Sequence, residues 1–494
     1  MYRKRIIQGL IYFIVYWIIL PALLIAIGVY MNPGSFPEVI RMLGKMVAAT
    51  GFVFGMISAS YMIIDGGGGP MYLLAPKKLV TCGTFSMCRH PVYFGFMIYL
   101  LGLSMAYGYL MSLGISAVFS SLMILWALLI EEKQLLKKYP KYEEYKRKVP
   151  AFWPQRPIKD DRCPTLLFMF LFYIGHIVSW FTWHIKFEKR CKVPEQGYMV
   201  VANHVTYLDF AVVVYTLSRF LSFPVSLFHY KRLEWLYKNV GSFPINRFKP
   251  DIRAIMRIIS YVKNGGRLGI FPEAERSWDG RFLGFKQGFD KLVEKVPKPI
   301  IGVRIEKAQL LFPRWGKTFY PGRVNVVVDC FEDPKELEEF LSKPSVDPND
   351  RYVSYKGVEN YVYRCPRCGK VGVIKSNKEG FYCKSCGFSM KRPTVEQLWE
   401  IRDKNIESLT LPFSDRADIV DELGKTVKRN VLVIMDENGI EYAGKRLKRE
   451  EIKSFIIEGR YEVFFYDGDN VVGFRFKNTG ALLWNDLVKK FYSL

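Results

Sequence analysis

The chain has 494 residues, of which 50% are hydrophobic and 16% aromatic, and its 71 Lys and Arg residues outnumber its 47 Asp and Glu residues. At roughly 150 residues per domain, this length predicts about three domains. A net charge of +24 combined with so much apolar sequence favours a bilayer with anionic lipids as the partner. Nucleic acid is not expected as a partner, because the basic residues are spread along the chain and flank apolar segments.

The chain contains nine cysteines, and four of them form two Cys-x-x-Cys pairs. Such pairs are typical of metal ligands, so we interpret the remaining cysteines as scattered thiols and not as an extracellular disulfide framework. This cysteine pattern predicts that the protein resides in a reducing compartment.

The first quarter of the chain contains apolar runs that predict membrane spans. The first run is too long for a signal peptide, and no small-residue cleavage site follows it. Most of the basic residues fall on one side of the membrane, with Arg41 and Lys45 as exceptions. We expect a multi-pass protein of the plasma membrane, and the positive-inside rule places both ends of this domain in the cytoplasm. The four predicted spans are Ile6–Tyr30, Met46–Ile64, Val92–Tyr109 and Leu110–Ile130.

Two charged pairs lie at the cytoplasmic ends of the predicted spans. Arg89-His90 precedes the third span, and Glu131-Glu132 follows the fourth. Ionisable groups at the edge of a bilayer are costly unless they have partners or a function. By charge alone, these residues are either interfacial anchors and a solvated helix end, or a functional cluster.

The order of residues in this region resembles that of the isoprenylcysteine carboxyl methyltransferases and phospholipid methyltransferases. The similarity covers residues 1–155 and rests on Gly83, Arg89-His90-Pro-x-Tyr93-x-Gly95, Glu131-Glu132, Tyr142, Tyr145 and Val149-Pro-x-Phe-x-Pro154. The resemblance implies a transmembrane domain that binds S-adenosylmethionine through Arg89, His90, Tyr93, Glu131 and Glu132. It is more specific for fold than for activity, so a non-catalytic membrane anchor is the alternative.

A proline-rich polar break from Trp153 to Pro164 marks a domain boundary. The apolar segment Thr165–Ile185 follows, with basic residues on both sides. A fifth span would place the next domain outside the cell, so we predict a helix that lies in the cytoplasmic leaflet. A structural role is predicted for His176 and His184 within this segment.

Strand-like and helical runs alternate from Glu188 to Phe331, which predicts an α/β domain with a largely buried sheet. With the interfacial helix, this domain is assigned to residues 165–345. Polar motifs fall where the predicted strands end, the usual place for a site in such folds. The predicted strands are Met199–Ala202, Arg267–Phe271, Ile300–Val303 and Val324–Val328, and the predicted helices are Asp209–Leu221 and Asp251–Asn264.

The first of these strands is followed by Asn203-His204, and Asp209 comes five residues after the histidine. Imidazole is the side chain best suited to accept a proton at neutral pH, and a carboxylate on its second nitrogen fixes the tautomer and stabilises the cation. A lone histidine is more often structural, so the spacing alone leaves both interpretations open.

This motif resembles the first of four blocks in the glycerol-phosphate and lysophosphatidic acid acyltransferases. The other blocks follow in order at Gly241–Arg247, Phe271–Ser277 and Val296–Val303. The resemblance implies that His204 acts as a general base and that Asp209 orients it.

The same resemblance implies the substrates and their contacts. It assigns acceptor-phosphate binding to Arg247, Glu273 and Arg276. The implied acyl donor is a thioester of coenzyme A or of acyl carrier protein, and the implied acceptor is a lysophospholipid or a glycerol-phosphate.

The third block departs from the Phe-Pro-Glu-Gly-x-Arg-Ser pattern of these enzymes. Ala274 stands where the pattern has glycine, and Glu275 takes the variable position. A glycine here permits a positive φ or a close backbone approach, so the methyl group of alanine is expected to reshape the acceptor pocket. Activity is still expected, because Glu273, Arg276 and Ser277 match the pattern, but the substrate is left open.

Four cysteines follow the spacing Cys-x2-Cys-x14-Cys-x2-Cys, which predicts a zinc ribbon over residues 360–392. Four thiolates complete a tetrahedral shell with no position for water, so the predicted zinc is structural. The ligands are Cys365, Cys368, Cys383 and Cys386.

The rest of the chain is assigned to a helical linker at 393–424 and a β-rich domain at 425–494. The linker contains a predicted helix at Val395–Glu407, and short strands with turns then precede a closing helix at Thr479–Tyr492. The β-rich domain weakly resembles the pleckstrin-homology-like modules. The alternative is an accessory β domain without a ligand.

These assignments predict a multidomain, membrane-bound enzyme of phospholipid synthesis whose catalytic domain faces the cytoplasm. A methyltransferase-like domain is fused to an acyltransferase in this prediction. The alternatives are an acyltransferase with a non-catalytic anchor and a lipid-binding membrane scaffold without activity. The combination of His204, Asp209 and Arg276 favours an enzyme, because a scaffold does not need a base and its orienting carboxylate.

Overall fold

The computed structural model describes residues 11–69, 75–158, 160–249 and 251–492, without the side chain of Trp180. The chain divides into two compact units. The first comprises residues 1–170 with 218–220, and the second comprises residues 171–217 with 221–494. The predicted start of the first span, at Ile6, lies outside the described residues.

The first unit consists mainly of apolar helices. Within the described residues, three of them are long and apolar enough to cross a membrane, namely α1, α2 and α4. Helix α3 is apolar but has only 17 residues, so the four-span arrangement stays a prediction. The bounds are α1 (Ile11–Met31), α2 (Glu38–Ile64), α3 (Pro91–Tyr107), α4 (Leu110–Lys138) and α5 (Tyr142–Lys148).

Glycines bring the backbones of α2 and α3 into direct contact. A Cβ atom on Gly51 would lie 2.3 Å from the backbone nitrogen of Tyr99, and one on Gly102 would lie 2.3 Å from that of Ala48. Transmembrane helices associate through small residues in this way, because lipid provides no hydrophobic force that drives apolar helices together. Small side chains are therefore required along this helix pair.

The second unit begins within α6 (Leu166–Phe181) and continues directly into β1 (Trp183–Lys189). The predicted interfacial helix is thus shorter than the apolar segment, and its last residues join a sheet. His176 has a structural setting, since its Nδ1 lies 2.8 Å from the Phe172 carbonyl and its ring packs on Tyr215. Large apolar side chains stay exposed along α6, at Leu166, Phe170, Leu171, Ile174, Ile177, Val178 and Phe181.

A five-stranded mixed sheet forms the α/β part, with the order β1-β7-β6-β2-β5. The pair β6–β7 is antiparallel, and the other neighbours are parallel. The predicted strands are present, and β1 at the edge was missed because it continues the apolar run of α6. The strands are β2 (Tyr198–Ala202), β3 (Pro224–Ser226), β4 (Phe243–Ile245), β5 (Arg267–Ile270), β6 (Ile300–Glu306) and β7 (Gly322–Phe331), of which β3 and β4 pair separately.

Helices cover this sheet and bury its apolar side chains. Both ends of helix α10 lie within one residue of the predicted bounds. Helix α7 ends at Leu217, four residues before its predicted end. One core cluster contains Met199, Val201 and Leu268 from the strands and Ile258 and Val262 from α10. The helices are α7 (Asp209–Leu217), α8 (Leu227–Arg232), α9 (Glu234–Asn239), α10 (Ile252–Lys263), α11 (Phe289–Lys295), α12 (Ala308–Leu311) and α13 (Pro334–Ser342).

Beyond the α/β part, the cysteine-rich segment has three short strands in the order β10-β9-β8. A seven-stranded antiparallel sheet follows, and α15 packs on it. The bounds are β8 (Ile374–Ser376), β9 (Gly380–Cys383), β10 (Ser389–Lys391), α14 (Val395–Glu407), β11 (Phe413–Val420), β12 (Thr426–Asp436), β13 (Gly439–Tyr442), β14 (Lys445–Lys448), β15 (Ser454–Glu458), β16 (Glu462–Tyr466), β17 (Val471–Arg475) and α15 (Gly480–Tyr492).

The position of β11 corrects the predicted helical linker. The linker was assigned to residues 393–424, but only α14 within it is helical, and β11 already belongs to the sheet. In the sheet, β11 lies between β12 and β17, at the centre of the order β14-β13-β12-β11-β17-β16-β15. The pleckstrin-homology-like assignment stays a prediction.

One hydrophobic core joins the end of the α/β part to the cysteine-rich segment and the C-terminal sheet. It contains the buried side chains of Trp278 and Trp315, of Cys365 and Cys383, and of Trp484 on α15. The predicted boundaries at 345, 360 and 425 therefore do not coincide with separate cores.

Four of the cysteines outside the Cys-x-x-Cys pairs form two disulfides, so their interpretation as scattered thiols is wrong. Cys82 pairs with Cys163 in the first unit, and Cys191 pairs with Cys330 in the second. Disulfides persist in oxidising compartments and in intracellular proteins of hyperthermophiles. The cysteines thus give no support to the reducing compartment that we expected from the sequence.

We expect Gly102→Ala to lower the thermal unfolding midpoint of the detergent-solubilised protein. The added Cβ would overlap the backbone of α2, and overpacking of this kind costs roughly 1–3 kcal/mol. Gly114→Ala on α4 is the matched control, since no described atom lies within 4 Å of its added Cβ. Equal midpoints for the two variants would contradict the close packing of α2 on α3.

Candidate functional site

The first sequence block places its histidine and aspartate at the carboxyl end of a central strand. His204 lies in the loop after β2, and Asp209 is the first residue of α7. The imidazole Nδ1 of His204 and the carboxylate Oδ2 of Asp209 are 2.8 Å apart. The structure thus brings together the two side chains that the sequence predicted to be a pair.

Asp209 is completely buried and accepts further hydrogen bonds. Its Oδ2 accepts from the backbone N–H groups of Val205 and Thr206 at 2.6 and 2.9 Å, and its Oδ1 accepts from the Thr206 hydroxyl at 2.6 Å. These donors compensate the carboxylate for its burial and fix its orientation. The role of Thr206 was missed from the sequence, because any residue can occupy that position of the motif.

The His204 ring stands between Asp209 and Phe271. It stacks on the Phe271 ring with 4.2 Å between the ring centres. Burial lowers the pKa of His204 below its usual value, although Asp209 acts in the opposite direction. Nε2 has no hydrogen-bond partner among the residues that the structure describes, and the side chain is 23% exposed. A neutral imidazole with an accessible Nε2 is equipped to accept a proton.

Glu273 accepts hydrogen bonds from two backbone N–H groups, and its predicted contact with the acceptor stays a prediction. Its Oε1 accepts the backbone N–H of His204 at 2.6 Å, and its Oε2 accepts that of Leu283 at 2.9 Å. Burial raises the pKa of Glu273 to about 8, against the effect of these two donors. Both oxygens are occupied, so Glu273 holds the first block on the third.

Two further contacts hold the loop that carries His204. The backbone N–H of Ser277 donates to the His204 carbonyl at 2.7 Å. The Asn203 side-chain amide donates to the Ile305 carbonyl at 2.9 Å and accepts from the Ile305 N–H at 2.7 Å. The Asn203 side chain therefore connects the end of β2 to β6, which is a structural role.

Arg276 is the predicted acceptor residue with spare hydrogen-bonding capacity. Its guanidinium carbon lies 3.2 Å from the centre of the Tyr207 ring, and its buried Nη1 has no hydrogen-bond partner among the described residues. Burial, reinforced by the nearby Arg314, lowers the pKa of Arg276 to about 10. Buried donors normally have acceptors, so this nitrogen is suited to an anionic ligand.

Arg247 differs from Arg276 in that it has a carboxylate partner, although its buried Nε also lacks a hydrogen-bond partner among the residues that the structure describes. Its Nη1 lies 2.6 Å from Oε1 of Glu458, a residue of the C-terminal sheet. This pairing could not be predicted from the sequence, because the two residues are 211 positions apart. The structure thus pairs one of the predicted phosphate-binding arginines with a carboxylate.

The unusual third block has a structural explanation. Ala274 adopts a φ of +53°, the left-handed conformation that glycine tolerates best. Glu275 lies 2.7 Å from Nη1 of Arg314, which also donates to the Arg276 carbonyl at 2.5 Å. The block thus has a backbone conformation at Ala274 that suits glycine, and its variable position forms an ion pair.

In the first unit, Glu132 contacts two of the other predicted residues and one further basic residue. Its carboxylate lies 2.7 Å from Nη2 of Arg89, 3.3 Å from Nε2 of His90 and 2.9 Å from Nζ of Lys146. Arg89 also donates to the carbonyls of Lys146 and Val149. Arg89 and Glu132 therefore hold the α5 segment in place, a structural role that the sequence did not indicate.

Glu131 is the residue of this cluster whose carboxylate has an oxygen without a hydrogen-bond partner among the described residues. It ends a π-helical turn, Ala127–Glu131, and such turns occur often at functional sites. Its Oε2 is buried without a hydrogen-bond partner among the described residues, and Tyr93 interacts with the same carboxylate. The nearby His90 ring stacks on Phe152 at 5.3 Å.

The four cysteines of the ribbon converge as the spacing predicts. Their Sγ atoms all lie within 4.8 Å of one another, an arrangement that can hold a metal ion. Four thiolates form a complete tetrahedral set. The members of the cluster are Cys365, Cys368, Cys383 and Cys386.

Two family models match the chain, each over part of its length. Residues 184–306 match the model described as acyltransferase. Residues 39–142 match the model described as phospholipid methyltransferase. The chain thus carries an acyltransferase domain and a methyltransferase-like membrane domain. Both resemblances predicted from the sequence are confirmed.

Individual relatives match about a quarter of the chain. The 1-acyl-sn-glycerol-3-phosphate acyltransferase BAT2 of Brassica napus is 28% identical over 23% of this chain and 34% of its own length. The protein-S-isoprenylcysteine O-methyltransferase of Schizosaccharomyces pombe is 32% identical over 22% of this chain and 50% of its own length. The chain spans between 34% and 53% of the length of the curated relatives it matches.

A solved structure also matches. The 1-acyl-sn-glycerophosphate (LPA) acyltransferase PlsC from Thermotoga maritima has 20% sequence identity and a TM-score of 0.30. The match covers 45% of this chain and 84% of the PlsC chain.

The lowered pKa of His204 predicts the pH dependence of acyl transfer. A base must be neutral, so kcat/KM should stay high down to pH 6.5 and fall only at lower pH. Asp209→Asn removes the carboxylate that raises this pKa, so its acidic limb should move to still lower pH. Its maximal rate should drop by roughly 10²–10⁴-fold.

The measurement is kcat/KM against pH for the wild type and Asp209→Asn, with folding checked at each pH. An acidic limb above pH 6.5, or one that moves upward in Asp209→Asn, would contradict the assignment of His204 as the base.

Proposed function

We propose that the protein is a membrane-bound acyltransferase of phospholipid synthesis. It transfers an acyl group from an acyl thioester to the hydroxyl of a lysophospholipid or glycerol-phosphate acceptor. The observation that carries this proposal is the pair of His204 and Asp209, in which Nε2 of the imidazole is left accessible. The relatives named as 1-acyl-sn-glycerol-3-phosphate acyltransferases support the substrate class.

In the proposed reaction, Nε2 of His204 removes the proton from the acceptor hydroxyl. The hydroxyl oxygen attacks the thioester carbonyl carbon, and the ester bond forms as the carbon–sulfur bond breaks. The departing thiolate takes the proton from His204, which returns to its neutral form. Asp209 stabilises the imidazolium that exists between these steps.

The acceptor phosphate is assigned to Arg276, since its buried Nη1 requires an acceptor. The Tyr207 ring packs against one face of the Arg276 guanidinium and limits its movement. The donor is a thioester of coenzyme A or of acyl carrier protein. Both fit a site that faces the cytoplasm, which is the orientation proposed for this domain of a plasma-membrane protein with anionic lipids around it.

A lipid-binding scaffold without activity is the rival from another functional class. A scaffold has no use for a buried carboxylate with four hydrogen bonds that orients one imidazole. Folding would be better served by an apolar residue at position 209, because buried charges cost stability unless they are fully paired. The geometry therefore favours an enzyme.

We expect His204→Ala to abolish acyl transfer from acyl-coenzyme A to lysophosphatidic acid in detergent solution. Removal of a general base typically costs 10²–10⁴ in rate, and the thermal unfolding midpoint should stay close to that of the wild type. His184→Ala is the matched control, because His184 is exposed on β1 and outside the block. Retained transfer by folded His204→Ala would reject the proposal.

A second activity is proposed for the first unit, which is similar to phospholipid methyltransferases. The residues fit S-adenosylmethionine in part. The orphaned oxygen of Glu131 suits a cationic or N–H-bearing group, whereas Arg89 is largely occupied by Glu132 and by backbone carbonyls. We assign cofactor contacts to Glu131, Tyr93 and His90. The cofactor supplies an activated methyl group when bound.

We expect the purified protein to bind S-adenosylmethionine, and Glu131→Gln to weaken this binding by at least about tenfold, since it leaves the buried position without its charge. Glu143→Gln is the control, because Glu143 is an exposed residue of α5 paired with Arg147. Isothermal calorimetry provides the affinities. If folded, acyl-transferring protein does not bind the cofactor at all, the first unit is a membrane anchor.

Structural zinc is proposed for the four-cysteine cluster. The closed thiolate set has no position for a substrate, and its core is shared with Trp278 and Trp315. The metal therefore stabilises the region that supports the third acyltransferase block.

A further inference from the structure

The turn between β15 and β16 reaches from the C-terminal sheet into the acyltransferase domain. Glu458, the last residue of β15, is only 5% exposed. Its Oε1 lies 2.6 Å from Nη1 of Arg247, and its Oε2 lies 2.9 Å from Nε2 of His229. Both partners belong to the α/β part, so this carboxylate of the C-terminal sheet is paired with two side chains of another part of the chain.

The next residues of the turn are bonded to Arg314. Nε of Arg314 donates to the Gly459 carbonyl at 3.4 Å, and Nε of Arg460 donates to the Arg314 carbonyl at 3.2 Å. Nη1 of Arg314 donates to the Glu275 carboxylate and to the Arg276 carbonyl. Arg314 thus links the turn to Arg276, the residue assigned to the acceptor.

Glu458 changes the charge of this region. Burial opposes its ionisation, but His229 and Arg247 hold its pKa below the usual value. The carboxylate is therefore ionised and cancels the charge of Arg247. The buried Nη1 of Arg276 has no such carboxylate partner among the described residues. Lys286 interacts electrostatically with Arg247 and is exposed.

We propose that Glu458 is a specificity-determining residue of the acyltransferase site. Arg247 interacts electrostatically with Glu275, the residue before Arg276, so its neutralisation by Glu458 removes one positive charge near the headgroup position assigned to Arg276. The site then discriminates less in favour of a doubly charged phosphate monoester over a singly charged phosphodiester. This inference rests on the proposed acyl transfer and on the acceptor position assigned to Arg276.

The test compares two acceptors with the same acyl chain, lysophosphatidic acid and lysophosphatidylglycerol, on full-length protein. Glu458→Gln should raise the kcat/KM ratio of the first acceptor to the second by about tenfold, because Arg247 regains its charge. The change should appear in KM for the acceptors, while KM for acyl-coenzyme A stays within about twofold. A purely structural role would move both acceptors alike.

Glu462→Gln is the matched control. Glu462 lies on the same hairpin and also pairs with an arginine, Arg475 at 2.6 Å, but within the C-terminal sheet. Its acceptor ratio should equal that of the wild type. An unchanged ratio in folded, active Glu458→Gln would overturn the inference and leave the proposed function intact. A wild type that acylates neither lipid rejects the proposed function, and the inference with it.

The loss of Glu458 leaves Arg247 without its partner, and that variant can fail to fold. In that case the pair Arg247→Gln/Glu458→Gln carries the test, since it replaces a neutral ion pair by two neutral side chains. Its acceptor ratio should stay within about twofold of the wild type. A selective loss of lysophosphatidic acid of about tenfold would overturn the inference, because Arg247 would then bind the headgroup in spite of Glu458.

Discussion

The buried carboxylate of Asp209 sets the geometry on which the catalytic region depends. It is fully enclosed and accepts hydrogen bonds from His204, from two backbone N–H groups and from the Thr206 hydroxyl. An anion with so many donors has one stable orientation, because any rotation would leave a buried charge unpaired. The imidazole plane, the loop after β2 and the first turn of α7 are therefore fixed together.

A second layer of contacts fixes this loop against the third block. Glu273 holds the His204 N–H, Ser277 holds the His204 carbonyl, and Arg314 holds the next part of the block. Each of these residues contacts a neighbouring part of the chain. The atoms assigned to proton transfer and to the acceptor, Nε2 of His204 and the buried Nη1 of Arg276, are thus carried by backbone that has little freedom to move.

Local patterns predicted the centre of the acyltransferase domain well. The strands β2, β5 and β6 are apolar runs bounded by polar residues, and the five-residue spacing of His204 and Asp209 spans only the short loop between β2 and α7. The ribbon likewise follows from its cysteine spacing. In these cases the interacting residues are close in sequence, or the motif itself contains every residue that takes part.

Features that depend on distant residues were missed. Strand β1 continues the apolar run of α6, so hydropathy gave no boundary, and its partner β7 lies more than a hundred residues further on. The pairing of Arg247 with Glu458 joins two parts of the chain that no single motif contains. The two backbone hydrogen bonds of Glu273 were missed, because a matched motif identifies a residue without identifying what its oxygens accept. The two disulfides were missed for the same reason, since spacing does not reveal which cysteines meet.

The bond between Cys191 and Cys330 has a topological consequence. It closes a covalent ring of the chain that contains His204, Asp209, Arg247, Arg276 and Arg314. A protease that cuts one exposed loop within this ring leaves both pieces attached to each other. The residues of the site then stay at high effective concentration, so a nicked protein can rebuild the site without a bimolecular encounter.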